Sequence, residues 1–474
     1  MPLVTPPPSR CKSITYVSSL SACVAGLVFG GLGLSSAIAQ FLLPPLPSTI
    51  NEWKGPNGGT WETPGNWTGG LAPTEADNVL FGYEPVGGVV PSPTDDSIRQ
   101  TVDAGSANRE LRSLWFKAGL WYTLSGTGEF WVGKGGQDPY VLVVTPGDAG
   151  EQSEHTIEGF SHFMVSWQFA KQQTVKIENY SEGGLGIFTD KIRLYDQIIQ
   201  IGGTGATHFA GVLGGADNDN WSGQINVGLF EGTGDQPQPH FVLSGENKDY
   251  RGELRVNHRG FAIIKADQAL GGVQGERTVY AGGSLALRSH VETPLIYNVL
   301  NDTVLDIKPY DDDEDTVSNE GIVRNEGTRR IGALYNDGGE NHFGVRVSFN
   351  GDTLFGARGD RKGGLFLTNQ VTGTAQQNRG DFIKVGPGLI VLANGTNNWA
   401  NGTTLRAGVL RLSTSGALPT ASNLVFDGGA FGGILELGYG NTFNYNLGTG
   451  GGNIRWADTG DGGFSAFGGA RTVN

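Results

Sequence analysis

The stretch GLIVLANGTNNWANGTTLRAGVLRLSTSGALP, Gly388 to Pro419, decides the fold. Apolar residues alternate with small or polar ones, break at an Asn-rich turn, and alternate again. A period of two places every second side chain on one face of a strand. Leu392, Leu405, Leu410 and Leu412 are the expected inward rungs. Trp399 is expected to cap the turn, and Gly402 and Gly408 to make the bends. The stretch holds no His, Cys or carboxylate, so its regularity points to packing and not to chemistry.

The pattern recurs. In HFVLSGENKDYRGELRVNHRGFAIIKADQALGG, His240 to Gly272, Leu243 matches Leu392 and the turn Asn247 to Tyr250 matches Thr396 to Trp399. Gly252 matches Gly402, Leu254 matches Leu405, and Ala269-Leu270 matches Ala417-Leu418. A weaker copy spans Gly211 to Gly228, with Leu213, Trp221 and Gly223 in the same roles. The unit length reads as about 30 to 45 residues, and one unit cannot bury its own face, so units must stack. The expected fold is all-β, a right-handed parallel β-helix. A β-sandwich array would repeat at about a hundred residues instead.

Composition agrees. The chain has 474 residues, of which 78 are Gly, and no collagen-like period. Many Gly among 38% hydrophobic and 10% aromatic residues indicate short strands joined by tight turns. The net charge of −14 argues against nucleic acid, whose phosphates need a basic face.

The chain begins like an export signal: Arg10 and Lys12, an apolar run from Ala22 to Leu34, then Ala37 and Ala39 before Gln40. Cleavage after Ala39 is preferred to lipidation at Cys23, because the apolar run lies mostly beyond Cys23. Cys11 and Cys23 are the only cysteines, so the processed chain has no disulfide. No later stretch is apolar enough for a transmembrane segment. Residues 40–83 form a Trp-rich segment, expected to cap the solenoid. Residues 84–200 read as irregular β structure and residues 201–474 as repeats. The last residues, ARTVN, stop inside a repeat-like segment, which suggests a truncated or split gene product.

The stretch from Gly380 to Leu412 resembles the autotransporter-associated β-strand repeat. Lys384, Gly386, Gly388, Leu392, Asn397, Trp399, Gly402, Thr404, Gly408 and Leu410 occupy its pattern. Trp399 replaces a smaller aromatic, and Ala400-Asn401 lengthens the spacing to Gly402 by one residue. Gly451 to Asn474 resembles the segment that follows such repeats. Trp53, Gly55, Trp61, Asn66, Trp67, Pro73, Asp77 and Phe81 resemble the block found on their N-terminal side. The resemblance implies a secreted or cell-surface stalk of a Gram-negative-type bacterium, associated with the outer membrane and with adhesion.

Each chemical candidate has a structural alternative. Asp311, Asp313 and Asp315 lie in an acidic run without EF-hand order, expected to be a solvated loop. Asp217 to Asn220 read as turn residues. His155 and His162 lack zinc spacing. No nucleophile elbow or P-loop is present, so no catalytic residue, metal or cofactor is expected. The expected role is non-catalytic. The alternatives are a carbohydrate-active β-helix enzyme, a lyase or hydrolase, and a glycan-binding module that stacks sugars on Trp53, Trp61 and Trp67. Partners would be surface glycans or other cells. Oligomeric state is left open.

Overall fold

Short alternating segments that cannot bury their own faces pair side by side along the chain, and among the described residues the named strands pair in parallel. The computed structural model describes residues 44–474, apart from 83–98, 118–120, 135–138, 147–153, 166–172, 182, 215–222, 229–239, 273–274, 290–296, 300–303, 309–317, 320–329, 360–362, 375–379, 400 and 430–431. Leu46 to Asn474 form one compact unit. The expected signal segment, with Cys11 and Cys23, lies outside the described residues, as do Asp217 to Asn220 and Asp311, Asp313 and Asp315.

The unit is a parallel β-helix. The first side of the coils is a 13-stranded sheet that runs from Asn51–Trp53 to Asn398–Trp399. The second side runs from Gly59–Thr60 to Asn453–Trp456 as an open ladder, whose end strands pair with one neighbour or with a short flanking strand. The third side comes in two pieces. Five strands run from Arg109–Leu111 to Val212–Leu213, and seven from Tyr297–Val299 to Gly462–Ala466. Between the pieces, among the described residues, a turn replaces the third strand.

Register sets the length of a coil. Leu365 pairs with Ile390, Ile390 with Leu410, and Leu410 with Leu435. One coil thus takes about 20 to 25 residues here, shorter than the 30 to 45 expected from the matched segments. The discrepancy arises in the strands and not in the turn. Leu243 lies on the second side, whereas Leu392 lies on the third. The turn itself is equivalent in both copies. Asn247 accepts from the Leu213 N–H at 2.7 Å and donates to the Ala269 carbonyl at 2.8 Å. Asn397 accepts from the Val371 N–H at 2.9 Å and donates to the Ala417 carbonyl at 2.8 Å. Each Asn ties its own coil to the coils before and after it. Both turns lead into the first side.

The segment 84–200 is not irregular in three dimensions. Its strands continue the same sheets, for example His155–Glu158 between Trp121–Gly126 and Gly184–Phe188. Its regularity is hidden because its interior is built from unlike rings and its loops vary in length.

Inward side chains form a core that runs from Trp53 to Ile454. Leu392, Leu405, Leu410 and Leu412 are fully buried in it, as the opening stretch indicates. Trp399 is buried too, stacked on Phe382 at 5.1 Å, which stacks on Phe355 at 4.2 Å. Its indole N–H donates to Thr403 Oγ1 at 3.1 Å. Gly408 has φ of 68°, a left-handed conformation that a side chain would strain.

Candidate functional site

The three N-terminal tryptophans are brought together, but inside the protein. Trp53, Trp61 and Trp67 are 4%, 1% and 0% exposed. Trp67 meets Trp53 and Trp61 edge-on at 5.0 and 4.8 Å, and its indole N–H donates to the Trp61 carbonyl at 2.7 Å. Phe81 lies about 6 Å from all three rings. A sugar needs a free ring face, and these rings spend theirs on one another. The alternative of a sugar-stacking platform is therefore corrected: the tryptophans are core residues of the first coils.

The rest of that block serves the same cap. Any Cβ at Gly55 would fall 2.5 Å from the Trp53 ring. The Lys54 N–H donates to the Asn66 carbonyl and the Thr68 N–H to the Glu52 carbonyl, both at 2.9 Å. Residues 66–68 thus run antiparallel along the outer edge of Asn51–Trp53 and cover the open edge of the first sheet. Asp77 accepts from the Thr74 N–H at 2.7 Å and from its hydroxyl at 2.9 Å, which closes the following turn.

The two histidines singled out by spacing separate onto different sides of the coil. His155 is buried against Phe116, with ring centroids 4.4 Å apart, and burial pushes its pKa down to about 3. His162 is half-buried on the third side, 3.0 Å from Glu129. Among the described residues, no group of three or more His, Cys, Asp or Glu could hold a metal ion. No helix among them is long and apolar enough to cross a membrane.

Lys384 is a fully buried cation. It points inward from Phe382–Val385, is 0% exposed, and has its pKa pushed down by burial to about 7. A lysine tuned in this way is a candidate nucleophile or base elsewhere. Here its Nζ donates to the carbonyls of Val385, Gly386 and Ala407 at 2.9, 2.7 and 2.9 Å. It closes a corner of the coil and reaches into the next one. Arg277 does the same at another corner, donating to the carbonyls of Leu270, Gly252 and Glu276. Interior cations therefore satisfy the corner carbonyls that turns leave facing inward.

The open surface is different. On the outer face of the first side, a shallow groove of about 270 Å³ is lined by Val304, Asp306, Arg346, Ser348, Gln370 and Thr372. The strands Val304–Lys308, Arg346–Asn350 and Val371–Thr374 supply most of it. Their alternation sends Leu305, Ile307, Val347, Phe349 and Val371 inward and the polar residues outward. Register places Asp306 beside Ser348, Ser348 beside Thr372, and Thr372 beside Asn398. One carboxylate, one guanidinium, two hydroxyls and an amide give donors and acceptors without the paired carboxylates of a glycosidase. Sequence reasoning missed this group. The alternation VLDIK, RVSFN and VTGT was the available signal, but only the register brings the three segments together.

Comparison with family models, with curated proteins and with solved structures finds no match. The functional reading rests on the residues of the repeat and on this geometry.

Proposed function

We propose that the protein is a non-catalytic, exported β-helical passenger or stalk of the autotransporter-associated repeat kind, held at or released from the surface of a Gram-negative-type cell. The observation that carries this reading is how the interior charge is used. Lys384 and Arg277 are each directed at corner carbonyls of the coils. They tie successive coils of the stack together. Such a body presents its outer faces for contact, which is what an adhesive stalk needs.

Location is tested by expressing the tagged full chain in a Gram-negative host and treating intact cells with protease. The tag should be lost from the cells or found in the medium, with a mature end at Gln40. A chain retained in the cytoplasm with residues 1–39 attached would contradict the reading. Activity is tested on a panel of soluble polysaccharides. Release of reducing ends or of unsaturated uronates from any of them would replace the stalk by a carbohydrate-active enzyme.

A further inference from the structure

The geometry points to a binding site for a linear, neutral, 1,4-linked glycan in the groove around Asp306 and Arg346. The inference does not depend on the stalk reading. Four features lead to it. Asp306 and Arg346 face outward with no side-chain hydrogen bond or ion pair among the described residues, although both line one concavity. The volume, about 270 Å³, suits sugar-sized groups. The chemistry is mixed and close to neutral: the charges of Asp306 and Arg346 offset each other, and Lys308 is turned onto the Tyr280 ring, 5.5 Å from its centroid. A polyhydroxylated chain meets such a surface with both donors and acceptors, whereas an acidic chain meets the Asp306 carboxylate.

The fourth feature is the spacing. Asp306, Ser348, Thr372 and Asn398 form a column across four neighbouring strands. Parallel strands lie about 4.8 Å apart. An extended 1,4-linked glycan advances by close to one such step per sugar, so a chain laid along the stack meets one polar rung per residue. Parts of the outer faces elsewhere are apolar instead. Leu80, Trp115 and Val143 are buried on the first side near its start, and Val242, Ile263 and Tyr335 on the second.

Binding is measured by calorimetry on the full chain with β-1,4-glucan and β-1,4-mannan oligosaccharides, from disaccharide to hexasaccharide. Affinity should climb to the tetrasaccharide for at least one series and then flatten, because Thr278, the next residue of the column beyond Asp306, is buried and leaves four accessible rungs. The double variant Asp306→Asn, Arg346→Gln removes both charges and keeps polar side chains, and should weaken tetrasaccharide binding by about tenfold or more. Thr156→Ala, on another side of the coil, should leave it unchanged. Absence of binding in both series, affinity that ignores chain length, or tighter binding of polygalacturonate would overturn the proposal. So would a double variant that folds and binds like the parent. Failure here leaves the export experiment untouched, and a chain retained in the cytoplasm that still binds the tetrasaccharide would sink only the stalk.

Discussion

Around Phe81 and Phe116 the interior of the coils is filled largely by rings, whereas in the later coils leucines such as Leu410 and Leu435 line the third side beside the stack of Phe355, Phe382 and Trp399. The two regions share the same sheets and the same inward alternation. Rings meet at particular angles, as Trp67 does with Trp53 and Trp61, so each coil needs neighbours of a different shape. Leucine stacks on leucine, so neighbouring coils can share a sequence. A β-helix therefore shows a sequence repeat only where its filling repeats. The outer edges differ as well. The first coil is covered by the antiparallel segment at Trp67, while the last coils expose Leu447 at 79% and Trp456 at 42%.

The largest test of this contrast compares two tryptophans. Trp67→Ala leaves a ring-sized cavity and should cost about 3–5 kcal/mol in urea unfolding. Trp456→Ala, half in solvent on Phe426, should cost no more than about 1 kcal/mol. Equal costs would remove the distinction between covered and exposed coils.

Titration separates the regions next. His155 is held neutral in the first coils, with its pKa near 3 against 6.5 when unfolded. The unfolded chain binds more protons between those values, so stability is full above about pH 6.5 and falls as the pH drops towards 3. Lys384 titrates near 7 when folded and near 10.5 when unfolded, so its contribution makes stability rise as the pH climbs from 7 to 10.5. Thermal melts should show His155→Phe flattening the acid slope and Lys384→Met the alkaline one. Slopes that survive both substitutions would contradict these assignments.

The shared device comes third. Asn247→Ala and Asn397→Ala each strand backbone groups of adjacent coils and should each cost about 1–3 kcal/mol. Similar losses would show one solution used in both settings, whereas a harmless Asn247→Ala would confine it to the leucine coils. The smallest effect belongs to the exposed ion pair of Arg406 and Asp427. Arg406→Ala should change stability by about 0–1 kcal/mol, less in high salt.

Particular residues explain what could be read in advance. Leu392, Leu405, Leu410 and Leu412 announce themselves because leucine repeats at a period of two beside turn residues. Trp53, Trp61 and Trp67 announce a cluster, but burial cannot be told from exposure without knowing that residues 66–68 return along Asn51–Trp53. The coil length was obscured because the Asn247 turn follows the second side and the Asn397 turn the third. The groove was invisible because Asp306 and Ser348 are distant in the chain and become neighbours only when the intervening residues complete a coil.

The central claim is that one parallel β-helix continues through residues 84–200. Cys11 and Cys23 are the only cysteines, so in a chain made to begin at Gln40 introduced pairs report on register directly. Thr123 and Thr156 face each other on adjacent strands, and His208 lies two strands further along, through Gly186. Adjacent strands are about 4.8 Å apart, within reach of a disulfide. The pair Thr123→Cys, Thr156→Cys should cross-link rapidly on oxidation, and Thr123→Cys, His208→Cys should not. Cross-linking of the distant pair, or none of the adjacent pair in a folded chain, would contradict the parallel stack.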